Sequence, residues 1–186
     1  MPTLEALAEE PVRPLRRVEY DQLVALGAFE DEKLELLYGA LVPMTPIGPA
    51  HASVSTRLNV TLVRALADRA AIRVAIPVAA SDDSEPEPDF AVVPPGDYDH
   101  EHPTAAWLII EVSDSSLRKD RGVKRRLYAE CKVPEYWIVN LVEQVIEVYR
   151  EPKGGAYTST KRFAKGDVIV LERFPDVEIR VDDVIR

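Results

Sequence analysis

Apolar positions recur along this chain in two rhythms, and the changes between them outline a fold. Between Ser53 and Asp68, Val54, Leu58, Leu62 and Leu66 stand four residues apart, which lines one face of a long helix. Tyr20, Leu23, Val24 and Leu26 give a shorter amphipathic helix over 19–26, closed by Gly27. Elsewhere apolar residues come in short runs that suit buried strands: Ile72 to Val78, Asp89 to Val93, Trp107 to Val112 and Tyr136 to Leu141. KLELLYGALVPM divides about Gly39 and predicts a hairpin, with Glu35 and Leu37 on one face and Leu34 and Leu36 on the other. MTPIGPAHA, SDDSEPEP and PPGDYDHEHPT read as loops. A helix from about Ser116 to Lys132 joins the run ending at Val112 to the run starting at Tyr136, so a right-handed crossover between two adjacent parallel strands is expected. VIEVYR, AYTSTKRF, DVIVLE and VEIRV alternate as antiparallel strands do. The pattern predicts an α/β (α+β) fold with a central mixed sheet, flanking helices and a C-terminal antiparallel extension.

Residues 1–17 hold three prolines and little periodicity, which predicts an N-terminal arm ahead of a single domain over 18–186. With 46% hydrophobic and 30% charged residues the composition is that of an ordinary globular protein. No apolar run approaches the roughly 20 residues that span a bilayer, so no membrane partner is expected. The N-terminal stretch lacks the basic start and apolar centre of a secretory signal, and Cys131 stands alone; the expectation is a cytoplasmic protein. A net charge of -9 excludes a surface coated for nucleic acid, so any such contact is local. Charge is also uneven: Asp82, Asp83, Glu85, Glu87 and Asp89 crowd one segment, and Arg118, Lys119, Arg121, Lys124, Arg125 and Arg126 crowd another.

WLIIEVSDSS draws attention because its apolar run ends on Glu111. An ionised carboxylate leaving water costs several kcal/mol unless something pairs with it. Asp89, behind Pro88, heads another strand 22 residues earlier. Two strand-borne carboxylates side by side repel each other, an arrangement that a divalent cation between them would relieve. Oxygen ligands favour Mg²⁺ or Mn²⁺, whereas no His and Cys cluster stands at zinc spacing. The residues alone leave a plainer reading open, with Asp89 a turn residue and Glu111 paired to an arginine. Asp120, Lys124 and Tyr128 lie at i, i+4 and i+8, on the face that a crossover helix lays against its sheet. Lys124 could bury its stem there and bring its ammonium to the carboxylates, or belong to the solvated face of RKDRGVKRR. That basic run offers Arg118, Lys119, Arg121 and Arg125 as a phosphate-binding patch, with a solvated helix face as its alternative. Asp114, Ser115 and Ser116 read as helix N-caps, Tyr136 and Trp137 as core, and His100 and His102 as residues of a solvated loop.

Taken in order, KLELLYGALVPM, the loop leading to His51, Pro88-Asp89-Phe90, Ile110-Glu111-Val112, Asp120 with Lys124 and Tyr128, and Val133-Pro134-Glu135-Tyr136-Trp137 resemble one family. It is the Uma2 (DUF820-like) restriction endonuclease family of the PD-(D/E)XK nuclease superfamily, and the likeness runs from about Leu34 to Tyr149. The resemblance implies a restriction-endonuclease-like core and a Mg²⁺- or Mn²⁺-dependent endonuclease acting on phosphodiester bonds of nucleic acid, DNA foremost. Asp89 and Glu111 would be metal ligands, Glu35 a third acidic group reaching the site, and His51, Asp120 and Tyr128 its periphery. The superfamily's lysine two residues after the glutamate is missing, since Ser113 stands there. Lys124 is the substitute that the resemblance suggests. Tyr38, Ala40 and Asn140 also replace acidic residues common in the family. A homodimer or higher homo-oligomer would pair two such sites across a duplex. Two other classes stay open: a nuclease-fold nucleic-acid-binding or protein-interaction module without catalysis, and a metal-dependent hydrolase with another substrate.

Overall fold

The computed structural model describes residues 12–186, so most of the arm expected over 1–17 lies outside the described residues. Helix α1 (Arg17–Ala25) leads into a hairpin of β1 (Leu34–Leu37) and β2 (Ala40–Pro43). Tyr38 and Gly39 both take positive φ, 50° and 76°, the two-residue turn whose twist matches that of the flanking strands. Gly39 has a second constraint, because a Cβ there would lie 2.2 Å from Pro14 Cβ. Leu15 N donates to Gly39 O at 3.0 Å, holding the end of the arm against the hairpin.

Helix α2 (Pro49–Leu66) begins four residues before the predicted start at Ser53. Gly48 is its N-cap and Pro49 supplies a first helical residue with φ already set, so His51 falls inside the first turn. Strands β3 (Ala71–Val74), β4 (Phe90–Val93), β5 (Leu108–Ser113), β6 (Glu135–Asn140), β7 (Val145–Lys153) and β8 (Ala156–Phe163) form one sheet in that order. Only β5 and β6 run parallel; the other neighbours are antiparallel, so the sheet is mixed. Val54, Leu58, Leu62 and Leu66 of α2 cover one face, against Phe90, Val92, Leu108, Ile110 and Val112. On the other face Tyr128 packs with Ala91, Val93, Ile109, Tyr136 and Ile138. Tyr136 and Trp137 are fully buried, as expected of core residues.

The crossover helix departs from the regular helix expected over 116–132. It consists of α3 (Leu117–Lys119), a π-helical turn (Asp120–Lys124) and α4 (Arg125–Glu130). The C-terminus also differs from the alternating pattern. Strands β9 (Val168–Val170) and β10 (Glu178–Arg180) form a separate two-stranded sheet, and Val181–Val184 turns into α5, whose Val181 and Val184 bury against the α2 side of the core. Among the described residues no helix is long and apolar enough to cross a membrane.

Candidate functional site

Strand register brings the first two carboxylates together. Phe90 pairs with Ile110 across β4 and β5, so one step further the same register sets Asp89 opposite Glu111. Asp89 is tied to β5 by its side chain, because Val112 N donates to Oδ2 at 2.7 Å. Glu111 shares the sheet face of Ile109, beneath the crossover helix, and is only 4% exposed. Its Oε1 accepts from Lys124 Nζ at 3.0 Å and from the Tyr128 hydroxyl at 2.8 Å.

Lys124 does not stop at Glu111. Its Nζ also lies 2.9 Å from Glu35 Oε2, while Lys119 Nζ donates to Glu35 Oε1 at 2.6 Å. Both oxygens of Glu35, a residue 1% exposed in β1, therefore face ammonium groups. Lys119 and Lys124 are five residues apart, a spacing that a regular α-helix places on different sides. The intervening π turn, with its i→i+5 repeat, lets both reach one carboxylate. Asp120 Oδ2 accepts from Ser113 Oγ at 2.7 Å and Ser116 Oγ at 2.6 Å. This corrects the capping role expected of the serine segment: Ser116 is the N-cap of α3 but makes no side-chain cap bond. Ser113 is thus a clasp on Asp120.

His51 joins from α2, with Nε2 3.1 Å from both Asp89 oxygens and Nδ1 3.3 Å from Ser55 Oγ. The hydrogen bond to Asp89 raises the affinity of His51 for its proton, outweighing the opposing effect of burial. Burial pushes Glu111 up to about 8, with Asp120, Asp89 and Glu35 adding to the shift and Lys124 opposing it. Burial also works against charge on Lys124, but Glu111, Glu35 and Asp120 together overcome it and hold the ammonium protonated. Tyr128 keeps its proton through burial and the adjacent Glu111. The cluster thus places four carboxylates, Glu35, Asp89, Glu111 and Asp120, around two ammonium groups, Lys119 and Lys124. A divalent cation beside Glu111 would favour loss of the proton that burial holds there.

All of these charged groups line one cavity of about 720 Å³. Its other walls are Glu32 to Leu34, Pro43 to Gly48, Ala75, Glu87, Val112 and the turn before α3. Among the described residues no group of three or more His, Cys, Asp or Glu side chains is arranged to hold a metal ion. Any fit to a divalent ion therefore rests on the oxygen pair of Asp89 and Glu111. Such a set suits Mg²⁺, which commonly takes one or two carboxylates and keeps water in its remaining positions.

The basic run is not one patch. Lys119 joins the cavity and Arg118 is exposed beside it, but Arg121 binds Glu143 and Glu147 and the Arg125 guanidinium lies 5.4 Å over the Tyr149 ring. Arg121 and Arg125, expected to meet nucleic acid, stand apart from the cavity because the helix turns them toward β7. His102 is half-buried against Arg73, whose NH2 is 3.3 Å from Nδ1, and His100 is exposed; neither lines the cavity. Sequence reasoning missed the pairing of Lys119 with Glu35 and the cavity wall at Met44 to Gly48. The first needed the π turn, and the second is a loop with no periodicity to read.

No curated protein matches the chain. A solved structure described as a putative nuclease belonging to DUF820, from Anabaena variabilis ATCC 29413, superposes with a TM-score of 0.72 at 17% identity. The alignment covers 92% of this chain and 97% of that one, which establishes a shared fold. The Uma2 family, described as putative restriction endonuclease, matches residues 17–182. With nearly the whole described chain inside that match, the protein belongs to the Uma2 family.

Proposed function

We propose that this protein is a Mg²⁺- or Mn²⁺-dependent endonuclease that hydrolyses phosphodiester bonds of nucleic acid, with DNA as its substrate. The observation that carries the reading is the convergence of Asp89, Glu111 and the buried Lys124 on one cavity, with Lys124 Nζ 3.0 Å from Glu111. Support also comes from the description of the family and from the fold shared with a nuclease-like neighbour. Asp89 and Glu111 would hold the ion. Once bound, Mg²⁺ or Mn²⁺ supplies Lewis acidity at the phosphoryl oxygen and a more acidic water.

The remaining work falls to side chains of the cluster. Lys124, held charged by its carboxylate neighbours, is placed to offset the negative charge that grows on the phosphorane oxygens or to orient the attacking water. Glu35 acts through the lysines: with an ammonium on each oxygen, it fixes Lys124 and Lys119 and is not itself a ligand. Tyr128 donates to Glu111 Oε1 and so orients that carboxylate, and His51 does the same for Asp89. Asp120, gripped by two serines, adds negative charge on the other side of Lys124.

A second reading is favoured by one observation. Lys124 already bridges Glu35 and Glu111, as a structural ion-pair network would in a nuclease-fold binding module without catalysis. Nicking of plasmid and oligonucleotides with Mg²⁺ or Mn²⁺ separates the two. Wild type is expected to cut, and Glu111→Ala and Asp89→Ala to lose cutting by at least about 100-fold. Cutting that survives both substitutions sinks the site assignment, and no cutting by wild type with either ion favours the binding module.

A further inference from the structure

Resting on the nuclease reading, we propose that the cavity takes a single unpaired nucleic-acid strand, such as a free end, a flap or a looped-out segment, in preference to a closed duplex. The first observation is depth. Glu111 is 4% exposed and Lys124 3%, so a phosphodiester must enter the cavity to meet them. A paired and stacked strand resists that entry, and enzymes that reach groups inside a duplex bear an unstacking cost of a few kcal/mol, least where the strand is already unpaired.

The second observation is the wall facing the acids. Met44, Pro46 and Ile47 line the cavity, and Ile47 is 58% exposed and belongs to neither apolar core cluster among the described residues. A duplex turns sugars and phosphates outward and hides its base faces. An unpaired strand offers those apolar faces to side chains of this kind.

The third observation is that cations of the crossover helix are taken up by neighbouring carboxylates. Gripping a duplex along its length needs a row of phosphate contacts. Here Arg121 is bound by Glu143 and Glu147, and Arg126 by Glu130. At the acid cavity Lys33 makes no ion pair among the described residues. A second cavity of about 760 Å³ adjoins the first, sharing Pro43, Thr45, Ser115, Ser116 and Lys119 with it, and Arg118 lines it. Among the described residues Arg118 makes no ion pair, so one guanidinium and the Ser115 hydroxyl are available to the phosphates of a strand leaving the acid cavity, while the Ser116 hydroxyl is held by Asp120. Apolar wall, acid floor and one short polar exit match the alternating chemistry of a single strand.

The test uses the full chain and three fluorescent probes of one sequence: a single strand, a blunt duplex, and a duplex with an unpaired flap. Affinity is read by anisotropy with Ca²⁺, and cutting is read separately with Mn²⁺. Single strand and flap should bind at least about tenfold more tightly than blunt duplex, and cuts should fall in unpaired segments. Ile47→Glu, at an exposed position, should weaken single-strand binding by about tenfold and leave thermal stability unchanged. Equal affinity for blunt duplex, or indifference to Ile47→Glu, overturns the inference. If cutting is Glu111-dependent but as fast on blunt duplex, the nuclease reading stands and this one falls. If the strand preference and the Ile47 effect appear without cutting, the catalytic reading falls and this one stands; binding to none of the probes overturns both.

Discussion

Glu35→Gln discriminates most sharply between a carboxylate that holds a metal and one that holds lysines. The substitution preserves shape but removes the charge that faces Lys119 Nζ at 2.6 Å and Lys124 Nζ at 2.9 Å. Glutamine has one carbonyl oxygen and one NH2 group, so one ammonium keeps an acceptor while the other faces a donor, and the hydrogen bond lost there contributes about 1.5–3 kcal/mol. The Lys119 side chain is 20% exposed and water takes part of its share, which brings the total to about 2 kcal/mol. For a chain of this size each kcal/mol moves Tm by about 2–4 °C, so the variant should melt about 4–8 °C lower. Lys124 keeps Glu111 but loses its second anchor, and cleavage should fall by about 10- to 100-fold, the scale of a misplaced catalytic group. Mn²⁺ affinity, measured by calorimetry on the apo protein, should fall only severalfold, through the lost charge alone. Asp89→Asn should reverse the pattern, with ion binding lost and a smaller change in Tm. If Glu35→Gln abolishes Mn²⁺ binding and leaves Tm unchanged, the anchoring argument is wrong and Glu35 is a ligand.

Lys124→Met should lower stability by about 3–5 kcal/mol, since it leaves buried carboxylates facing one another, and Lys124→Met with Glu111→Gln should recover part of that loss in a urea-denaturation cycle. Gly39→Ala forces a Cβ to within 2.2 Å of Pro14 and onto a positive φ of 76°; about 1–3 kcal/mol should be lost, with faster proteolysis at residues 12–16. Outside the cavity, burial acts to raise the pKa of Glu147, but hydrogen bonds from Arg121, Tyr149 and Asn140 prevail and leave it below its ordinary value of 4.5. A depressed carboxylate contributes stability above its unfolded pKa and loses it as pH falls through the folded one. Urea midpoints of wild type should therefore drop more steeply below about pH 4.5 than those of Glu147→Gln, and parallel curves would contradict the assignment.

Much of the architecture is local in origin and so was legible in the residues. The four-residue spacing of Val54, Leu58, Leu62 and Leu66 makes α2 a one-sided helix wherever it packs, and all four are buried. The run before Glu111 is a strand because branched apolar residues suit a pleated, doubly covered position, and the helix after it makes β5 and β6 parallel. Asp89 and Glu111 were recognisable as candidates because ionisable groups at the ends of buried segments require partners, and Lys124 because it shares a helix face with Asp120 and Tyr128 and fits the family resemblance.

Which partner each one found was decided elsewhere. The register of β4 on β5 depends on pairing between segments some 20 residues apart, and it alone sets Asp89 beside Glu111. Glu35 meets Lys119 at a separation of 84 residues, through a π turn that neither composition nor a 3.6-residue repeat announces. Arg121 and Arg125 looked like part of one basic patch, yet the helix directs them to β7, where Glu147 and Tyr149 hold them. Periodicity reports which face of a segment avoids water, a property of neighbours along the chain. Pairing of buried charges depends on distances across the fold, because attraction in a weakly screened interior is decided within a few Å. The sequence by itself therefore determined most of the elements and the acidic and basic candidates; tertiary structure determined the π turn, that Glu35 binds lysines, and that Asp89, Glu111, Asp120 and Lys124 share its cavity while Arg121 and Arg125 do not.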